Sequence, residues 1–200
     1  SGINLVEFES APYDSDSTIK LLMISRLIVE KGVREYAEAA SHFKDDDRVT
    51  FTLIGKFDEG HSRSIRKEEL EKWTSEGWIN YQTHSDEIRK VISAHHAVVL
   101  PSYREGTPRT LLEGAALGRP LLTTDVPGCR EVVRDGYNGF LFLAKNAKSL
   151  SDKVRLFLSL SSDERKQLGV NSRKLVEDTF DENLVIRTYD QTIHRIIKPS

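Results

Sequence analysis

The residues best suited to chemistry in this chain are two glutamates, Glu105 and Glu113, which stand eight positions apart. Glu105 precedes a turn, and Glu113 lies inside the helix that the sequence predicts to follow it. Eight helical residues rise about 12 Å, which is too far for the ~5–9.5 Å between the carboxylates of a hydrolytic pair. The spacing suits a ligand with hydroxyl groups at both ends and an anionic centre, which is the shape of a nucleotide sugar.

The turn between the two glutamates contains residues that could hold the anionic centre. Gly106 lets a ligand approach the backbone closely. Thr107 is predicted to cap the helix, with Pro108 at its first position. The free amide groups at a helix start favour phosphate. Taken alone, these residues could also form an ordinary connection from a strand to a helix, although the ligand-binding interpretation is favoured.

A second loop supplies positive charge. A buried strand is predicted at residues 19–24, and Arg26 and Lys31 follow it in the loop that leads to the next helix. The carboxyl edge of an open parallel sheet is where ligands bind. The planar guanidinium group of an arginine and the ammonium group of a lysine could together neutralise a diphosphate. The alternative is a solvated loop in which Glu30 pairs with these cations.

Together the two segments resemble the retaining nucleotide-sugar glycosyltransferases of the large family that includes sucrose synthase and many bacterial polysaccharide enzymes. The family's G-R-L-x-x-x-K-G loop is matched by residues 25–32, and its E-x7-E motif by residues 105–113. Its alanine-rich helix and following strand resemble residues 113–125, and the similarity continues through residues 128–141. Residues 103–109 and 126–129 are most similar to transferases that add N-acetylhexosamine to lipid-linked bacterial glycans.

Some positions depart from the family pattern. Ser25 stands where the family usually has glycine, and Pro127 stands where it often has the first of two glycines. Gly114 replaces the usual alanine, and Thr83 replaces a common glycine. None of these changes removes a charged contact. Ser25 and Pro127 stiffen loops that approach the donor, so they bear on donor preference.

The resemblance implies roles for individual residues. Arg26, Lys31 and the amides after Gly106 would stabilise the leaving diphosphate, without a metal or other cofactor and with a UDP-sugar as substrate. Glu113 would bind the ribose hydroxyls and Glu105 the transferred sugar. The catalytic residues would be Arg26, Lys31 and Glu105. The donor-binding residues would be Ser25, Arg26, Lys31, His84, Ser85, Glu105, Gly106, Thr107, Pro108, Arg109, Thr110 and Glu113, with the base beside His84 and Ser85.

Composition and length are those of one globular domain. The chain has 200 residues, of which 38% are hydrophobic, and its net charge of −2 gives no electrostatic reason to expect nucleic-acid binding. The single cysteine, Cys129, excludes an internal disulfide and is interpreted as a small residue in a tight loop. No apolar run is long enough to span a membrane and no signal peptide is visible, which predicts a cytoplasmic location.

The order of predicted elements indicates an α/β fold with a Rossmann-like, doubly wound parallel sheet, which the resemblance identifies as one half of a GT-B fold. A mobile loop is expected at residues 55–64, and a capping box at Ser161 and Glu164. Predicted strands are 19–24, 49–54, 78–81, 97–100, 121–123 and 139–143. Predicted helices are 33–43, 65–76, 87–94, 109–117, 147–158, 163–176 and 182–197.

The resemblance also implies a division of the chain. Residues 1–18 resemble an interdomain linker, residues 19–180 form the donor-binding domain, and residues 181–200 form a helix that crosses back to an N-terminal domain. The resemblance implies that this first domain is missing from the chain. It would hold the glycan or lipid-linked acceptor and could place the longer enzyme at the inner face of the membrane.

Three other classes of protein could share the sheet or the ligand that this sequence predicts. A dinucleotide-binding dehydrogenase would share the doubly wound sheet, but Ser25-Arg26-Leu27 stands where its G-x-G-x-x-G motif would follow the first strand. A nucleotide-sugar epimerase of similar architecture would bind the same ligand, although it needs no separate acceptor domain. A non-catalytic nucleotide-sugar-binding module would show the same site residues.

Overall fold

A computed structural model describes residues 2–13, 18–58, 60–184 and 186–187. Strands and helices alternate along the chain as predicted. The strands are β1 (Ile19–Ile24), β2 (Val49–Ile54), β3 (Asn80–Gln82), β4 (Ala97–Leu100), β5 (Leu121–Thr124) and β6 (Gly139–Phe142). The helices are α1 (Val33–Ser41), α2 (Lys67–Ser75), α3 (Ile88–Ser93), α4 (Arg109–Ala116), α5 (Pro127–Val132), α6 (Ala147–Ser159) and α7 (Ser162–Thr179), with a 3-10 helix at Val29–Lys31.

The six strands form one parallel sheet in the order β3-β2-β1-β4-β5-β6. This topology confirms the predicted Rossmann-like, doubly wound sheet. The chain winds outward from β1 to β3, and then returns to place β4 on the other side of β1. The order therefore reverses between β1 and β4, so the helices that follow these two strands, α1 and α4, lie on opposite faces of the sheet and leave a crevice at its carboxyl edge.

The core lies on both faces of the sheet because successive side chains of a strand point to opposite faces. In β1, Leu21 and Met23 belong to the core cluster that includes residues of α1, α2 and α6, whereas Leu22 belongs to the cluster that includes residues of α4, α5 and α7. All three side chains are fully buried. Burial of each such side chain contributes about 1.5–3 kcal/mol, and strands enclosed in this way hold the loops at their ends in fixed positions.

Several element boundaries differ from the prediction. The third strand begins at Asn80 rather than Trp78, and the short helix α5 was not predicted. Cys129 consequently lies in a helix, not in a tight loop, although it is buried as a small residue would be. The predicted capping box is confirmed, since Ser161 Oγ accepts a hydrogen bond from the Glu164 amide and the Glu164 carboxylate accepts one from the Ser161 amide.

The described part of the N-terminal segment packs along the domain. Ile3 and Phe8 are buried, and the Ile3 amide donates to the Phe180 carbonyl at 2.8 Å. The guanidinium groups of Arg119 and Arg173 donate to the carbonyls of Pro12 and Phe8 at 2.7 and 2.6 Å. Most of the predicted helix 182–197 lies outside the described residues, and the proposed division of the chain remains a prediction.

Within the described ranges, no helix is both long enough and apolar enough to cross a lipid bilayer.

Candidate functional site

A cavity of about 540 Å³ lies at the point where the strand order reverses. Its walls come from the loop after β1, the loop after β4 and the connection between β2 and α2. The two loops that the sequence singled out therefore converge on one space. The lining residues are Arg26, Ile28, Glu30, Lys31, His61, Arg104, Glu105 and Gly106.

The loops after β1 and β4 are held against each other by backbone contacts. The Tyr103 amide donates to the Glu30 carbonyl at 2.8 Å. Gly32 has a φ of 73°, and a Cβ built there would lie 2.0 Å from the carbonyl oxygen of Pro101. Only glycine combines that left-handed conformation with so close an approach. The Tyr103 hydroxyl also donates to Glu35 Oε1 at 2.6 Å, so the relative position of the two loops is well determined.

Two of the predicted catalytic residues contact each other directly. Lys31 Nζ donates to Glu105 Oε1 at 2.5 Å, and the two side chains are only 24% and 11% exposed. A charge-assisted hydrogen bond with little solvent around it is stronger than one at the surface. In this structure Glu105 therefore pairs with the ammonium group of Lys31. Without this contact, that ammonium group would be free to bind a phosphate.

Arg26 and Glu30 have partners that the sequence did not reveal. Arg26 Nη1 lies 3.0 Å from Asp58 Oδ2, and the side chains are 62% and 32% exposed. Glu30 Oε1 instead pairs with Arg63 Nη1 at 2.6 Å. The alternative in which Glu30 neutralises Arg26 and Lys31 is therefore wrong. The reason is that the Val29 amide donates to the Arg63 carbonyl, which brings Arg63 beside Glu30.

The turn before α4 differs from its prediction by one residue. Pro108, not Thr107, is the N-cap, because its ψ of 116° is extended, and the helix begins at Arg109. Thr107 makes no capping bond, and its hydroxyl instead lies 3.4 Å from Glu131 Oε2. At Gly106, a Cβ would meet no atom within 4 Å, so the backbone there faces open space and is accessible to a ligand.

The second glutamate of the motif is covered by an arginine. Arg109 Nε donates to Glu113 Oε1 at 2.8 Å, and this hydrogen bond raises the pKa of Arg109 above its ordinary value. Glu113 is 13% exposed, whereas Arg109 is 77% exposed. The first turn of α4 is tied to the end of β1, since the Thr110 hydroxyl lies 3.5 Å from the Ile24 carbonyl. Helix α4, which carries Glu113, is therefore fixed in position beside the cavity.

His84 and Ser85 lie outside the cavity wall, in the loop after β3. His84 Nε2 is 2.9 Å from Asp86 Oδ1, and Ser85 Oγ accepts a hydrogen bond from the Glu87 amide at 3.2 Å. Both contacts are internal to that loop, which follows the edge strand at the same carboxyl end of the sheet. Their assignment to base binding remains a prediction.

Several cavity residues were missed by the sequence analysis. Arg104 immediately precedes Glu105, and that adjacency was the available signal. His61 was noted only as part of a predicted mobile loop, and Asp58, the partner of Arg26, lies in the same loop. Among the residues that the structure describes, Arg104 has no ion-pair partner, so it adds an uncompensated cation to the cavity.

Helix α5 packs against the loop after β4, which forms part of the cavity wall. A Cβ at Gly128 would lie 1.4 Å from the carbonyl oxygen of Gly106 and 2.5 Å from that of Glu105. The helix therefore packs directly against the segment that carries the first glutamate. Its Cys129 is fully buried, and burial raises the pKa of the thiol. A buried thiol held in its neutral form is a poor nucleophile, so we assign it to packing.

The fold and the cavity at its switch point define a Rossmann-like α/β domain with a cation-lined crevice. A profile of the family described as "Glycosyl transferases group 1" matches residues 7–175. The chain belongs to this family.

One curated relative is 34% identical over 180 residues, or 89% of this chain. It is the N,N'-diacetylbacillosaminyl-diphospho-undecaprenol alpha-1,3-N-acetylgalactosaminyltransferase of Campylobacter jejuni. This chain spans 45% of that protein, and about half the length of the other curated relatives that head the comparison.

Two solved structures share the fold. A glycosyltransferase from Rickettsia africae superposes with a TM-score of 0.87 at 23% identity, covering 100% of this chain and 56% of its own. HepE from Anabaena, solved in complex with UDP, gives a TM-score of 0.84 at 19% identity, covering 96% of this chain and 56% of its own. These matches confirm that the domain has the architecture of GT-B glycosyltransferases.

Proposed function

We propose that this chain is the donor-binding part of a retaining glycosyltransferase that transfers N-acetylhexosamine from a UDP-sugar to a glycan or lipid-linked acceptor. Family membership supports sugar transfer. The Campylobacter jejuni relative, by its name, adds N-acetylgalactosamine to a lipid-linked sugar. The Anabaena structure was solved with UDP, and it supports the choice of nucleotide.

The observation that carries this proposal is the convergence of Arg26, Lys31 and the open backbone of Gly106 on one cavity. During transfer, the bond between the anomeric carbon and the diphosphate oxygen breaks, and its electron pair leaves with the diphosphate. Cationic side chains and amides directed at that oxygen stabilise the developing charge. We assign this role to these three residues, acting without a metal ion.

The two glutamates are assigned to the two ends of the donor. Glu113 accepts hydrogen bonds from the ribose hydroxyls, and Glu105 accepts them from the transferred sugar. Both are ion-paired in the structure, Glu105 with Lys31 and Glu113 with Arg109. Donor binding therefore has to redirect these carboxylates, so that Lys31 contacts a phosphate while Glu105 contacts the sugar.

The acceptor belongs, in this proposal, to a second domain of a longer protein. The acceptor oxygen bonds to the anomeric carbon with retention of configuration, and its proton passes to a base that we place on that domain. Such an enzyme acts in the cytoplasm and meets a lipid-linked acceptor at the membrane surface. The family match favours this activity over the dehydrogenase and epimerase alternatives.

The test is UDP binding by isothermal titration calorimetry in the presence of EDTA. We expect UDP to bind, and Arg26→Ala or Lys31→Ala to lower its affinity about tenfold or more, because a charge-assisted hydrogen bond contributes roughly 1.5–3 kcal/mol. Lys148→Ala, on helix α6 and outside the cavity lining, removes the same charge and should leave the affinity unchanged. Equal affinity for uridine and UDP would contradict the assignment of the cavity to a diphosphate.

A further inference from the structure

The connection between β2 and α2 places a carboxylate on an exposed cation of the cavity, Arg26. The described part of this β2–α2 connection (residues 55–58 and 60–66) runs alongside the loop after β1. The Leu27 amide donates to the Lys56 carbonyl at 3.1 Å, and the Ile65 amide donates to the Leu27 carbonyl at 2.8 Å. Held between these two contacts, Asp58 reaches Arg26 with an Oδ2 to Nη1 distance of 3.0 Å.

The cations of the loop after β1 are thus both occupied by carboxylates. Lys31 holds Glu105 and Arg26 holds Asp58. Glu105 has an assigned role with the donor sugar, whereas Asp58 has none. Its carboxylate carries the same sign of charge as a phosphate and uses the same guanidinium. An incoming anion must therefore compete with Asp58 for Arg26.

The other carboxylates that the structure describes in the cavity wall already have partners. Glu30 is engaged by Arg63 at 2.6 Å, and Glu105 is engaged by Lys31. Removal of the Asp58 charge would therefore remove the carboxylate that occupies Arg26 in this structure.

We propose that Asp58 is an affinity-limiting residue of the donor site, which occupies Arg26 in the empty cavity and gives it up to the diphosphate. The inference rests on the proposed function in that the ligand carries a diphosphate. It adds that the site selects for ligand charge, because only a strongly anionic group displaces the internal carboxylate. UDP is favoured over UMP for this reason, and bound nucleotide is released more readily when Asp58 returns to Arg26.

Binding of UDP and of inorganic pyrophosphate to Asp58→Asn tests this inference, with calorimetry at low ionic strength. We expect both affinities to rise about twofold to fivefold, the range that corresponds to an exposed ion pair. Uridine affinity should not change. The gain should shrink as salt is added, because exposed charges are screened. Asp58→Ser serves as a second variant, and thermal unfolding confirms that both are folded.

Two controls isolate the mechanism. Asp152→Asn removes the same charge on α6, where Asp152 pairs with Lys148, and should leave UDP affinity unchanged. The gain from Asp58→Asn should also vanish in the Arg26→Ala background, because no competition remains there. Unchanged or weaker UDP binding by Asp58→Asn would show that the carboxylate only orders Arg26, and would overturn the inference. So would a gain that persists without Arg26.

The outcomes separate this inference from the proposed function. If the wild-type chain binds UDP and the variant shows no gain, only the inference fails. If pyrophosphate shows the gain but UDP binds neither protein, the proposed function fails while the role of Asp58 stands. If neither ligand binds either protein, both are overturned.

Discussion

Glu105 and Glu113 are held by different kinds of cation, and the difference determines how each can respond to a ligand. Glu105 contacts Lys31 in a largely buried pair, whereas Glu113 is covered by Arg109, whose side chain is mostly exposed. An exposed arginine can swing into solvent at little cost, since surface ion pairs contribute about 0–1 kcal/mol. Glu113 is therefore the more readily available carboxylate.

The two glutamates should consequently affect different parts of the donor. We expect Glu113→Gln to weaken UDP binding about tenfold, because the ribose contact is present in the bare nucleotide. Glu105→Gln should not weaken UDP binding, because UDP lacks the sugar and a competitor for Lys31 is removed, and it should weaken only UDP-N-acetylhexosamine. Calorimetry with both ligands measures the difference, and Glu38→Gln on the exposed face of α1 is the control. Equal loss of UDP affinity in the two variants would show that these roles are wrongly divided.

At the level of residues, the sequence identified part of the cavity wall but not the contacts within it. Arg26, Lys31, Glu105 and Gly106 all line the cavity, and each was identified by its type and its place after a strand. The partners of these residues were not identified. Asp58 lies 32 positions from Arg26, and its approach depends on backbone contacts of the β2–α2 connection, which no local pattern encodes.

At the scale of elements, helix α5 controls the position of the turn that carries Glu105. Its Gly128 allows the helix backbone to touch the carbonyls of Glu105 and Gly106. The sequence did not predict this helix. It is only six residues long, contains a glycine and ends in valine, and such segments lack a helical signal. Its formation depends on tertiary packing.

Gly128→Ala tests this support. The added methyl would overlap the Gly106 carbonyl, so α5 or the turn must move, and overpacking of this kind costs about 1–3 kcal/mol of unfolding free energy. We expect a lower denaturation midpoint together with weaker UDP binding. Gly60→Ala is the matched control, because a Cβ there meets no atom within 4 Å. Normal UDP affinity in Gly128→Ala would mean that α5 does not position the site.

Strands were predicted more accurately than the connections between them. The runs that form β1, β2 and β4 match their predicted bounds, because strands covered on both faces read as continuous apolar segments. The edge strand β3 is displaced by two residues at its start. Its Asn80 and Gln82 are exposed, so the sequence there lacks the apolar pattern.

At the scale of the whole molecule, the proposed function makes this chain one wall of a cleft. The chain spans about half the length of its curated relatives, and its cavity lies at the carboxyl edge of the sheet. Alignment of an acceptor hydroxyl and exclusion of water require a second surface that closes over the donor.

We therefore expect this chain alone to transfer no sugar to an acceptor. Radiolabelled UDP-N-acetylhexosamine and a lipid-linked acceptor would be incubated with the chain and, in parallel, with a longer protein that contains it. Slow hydrolysis of the donor is compatible with our assignment, since the groups that stabilise the diphosphate are present. Comparable transfer by the two proteins would show that this chain is a complete enzyme.

The reversal of strand order also has a consequence for how the protein acquires its site. Leu21 of β1 pairs with Ala97 of β4, and these residues are 76 positions apart in the chain. Pairings of such long sequence separation form slowly, because a large loop must close before the contact stabilises it. The β1–β2 pair can form early during synthesis, whereas the crevice appears only when β4 docks. A nucleotide that bridges both loops would therefore slow unfolding and leave the folding rate almost unchanged.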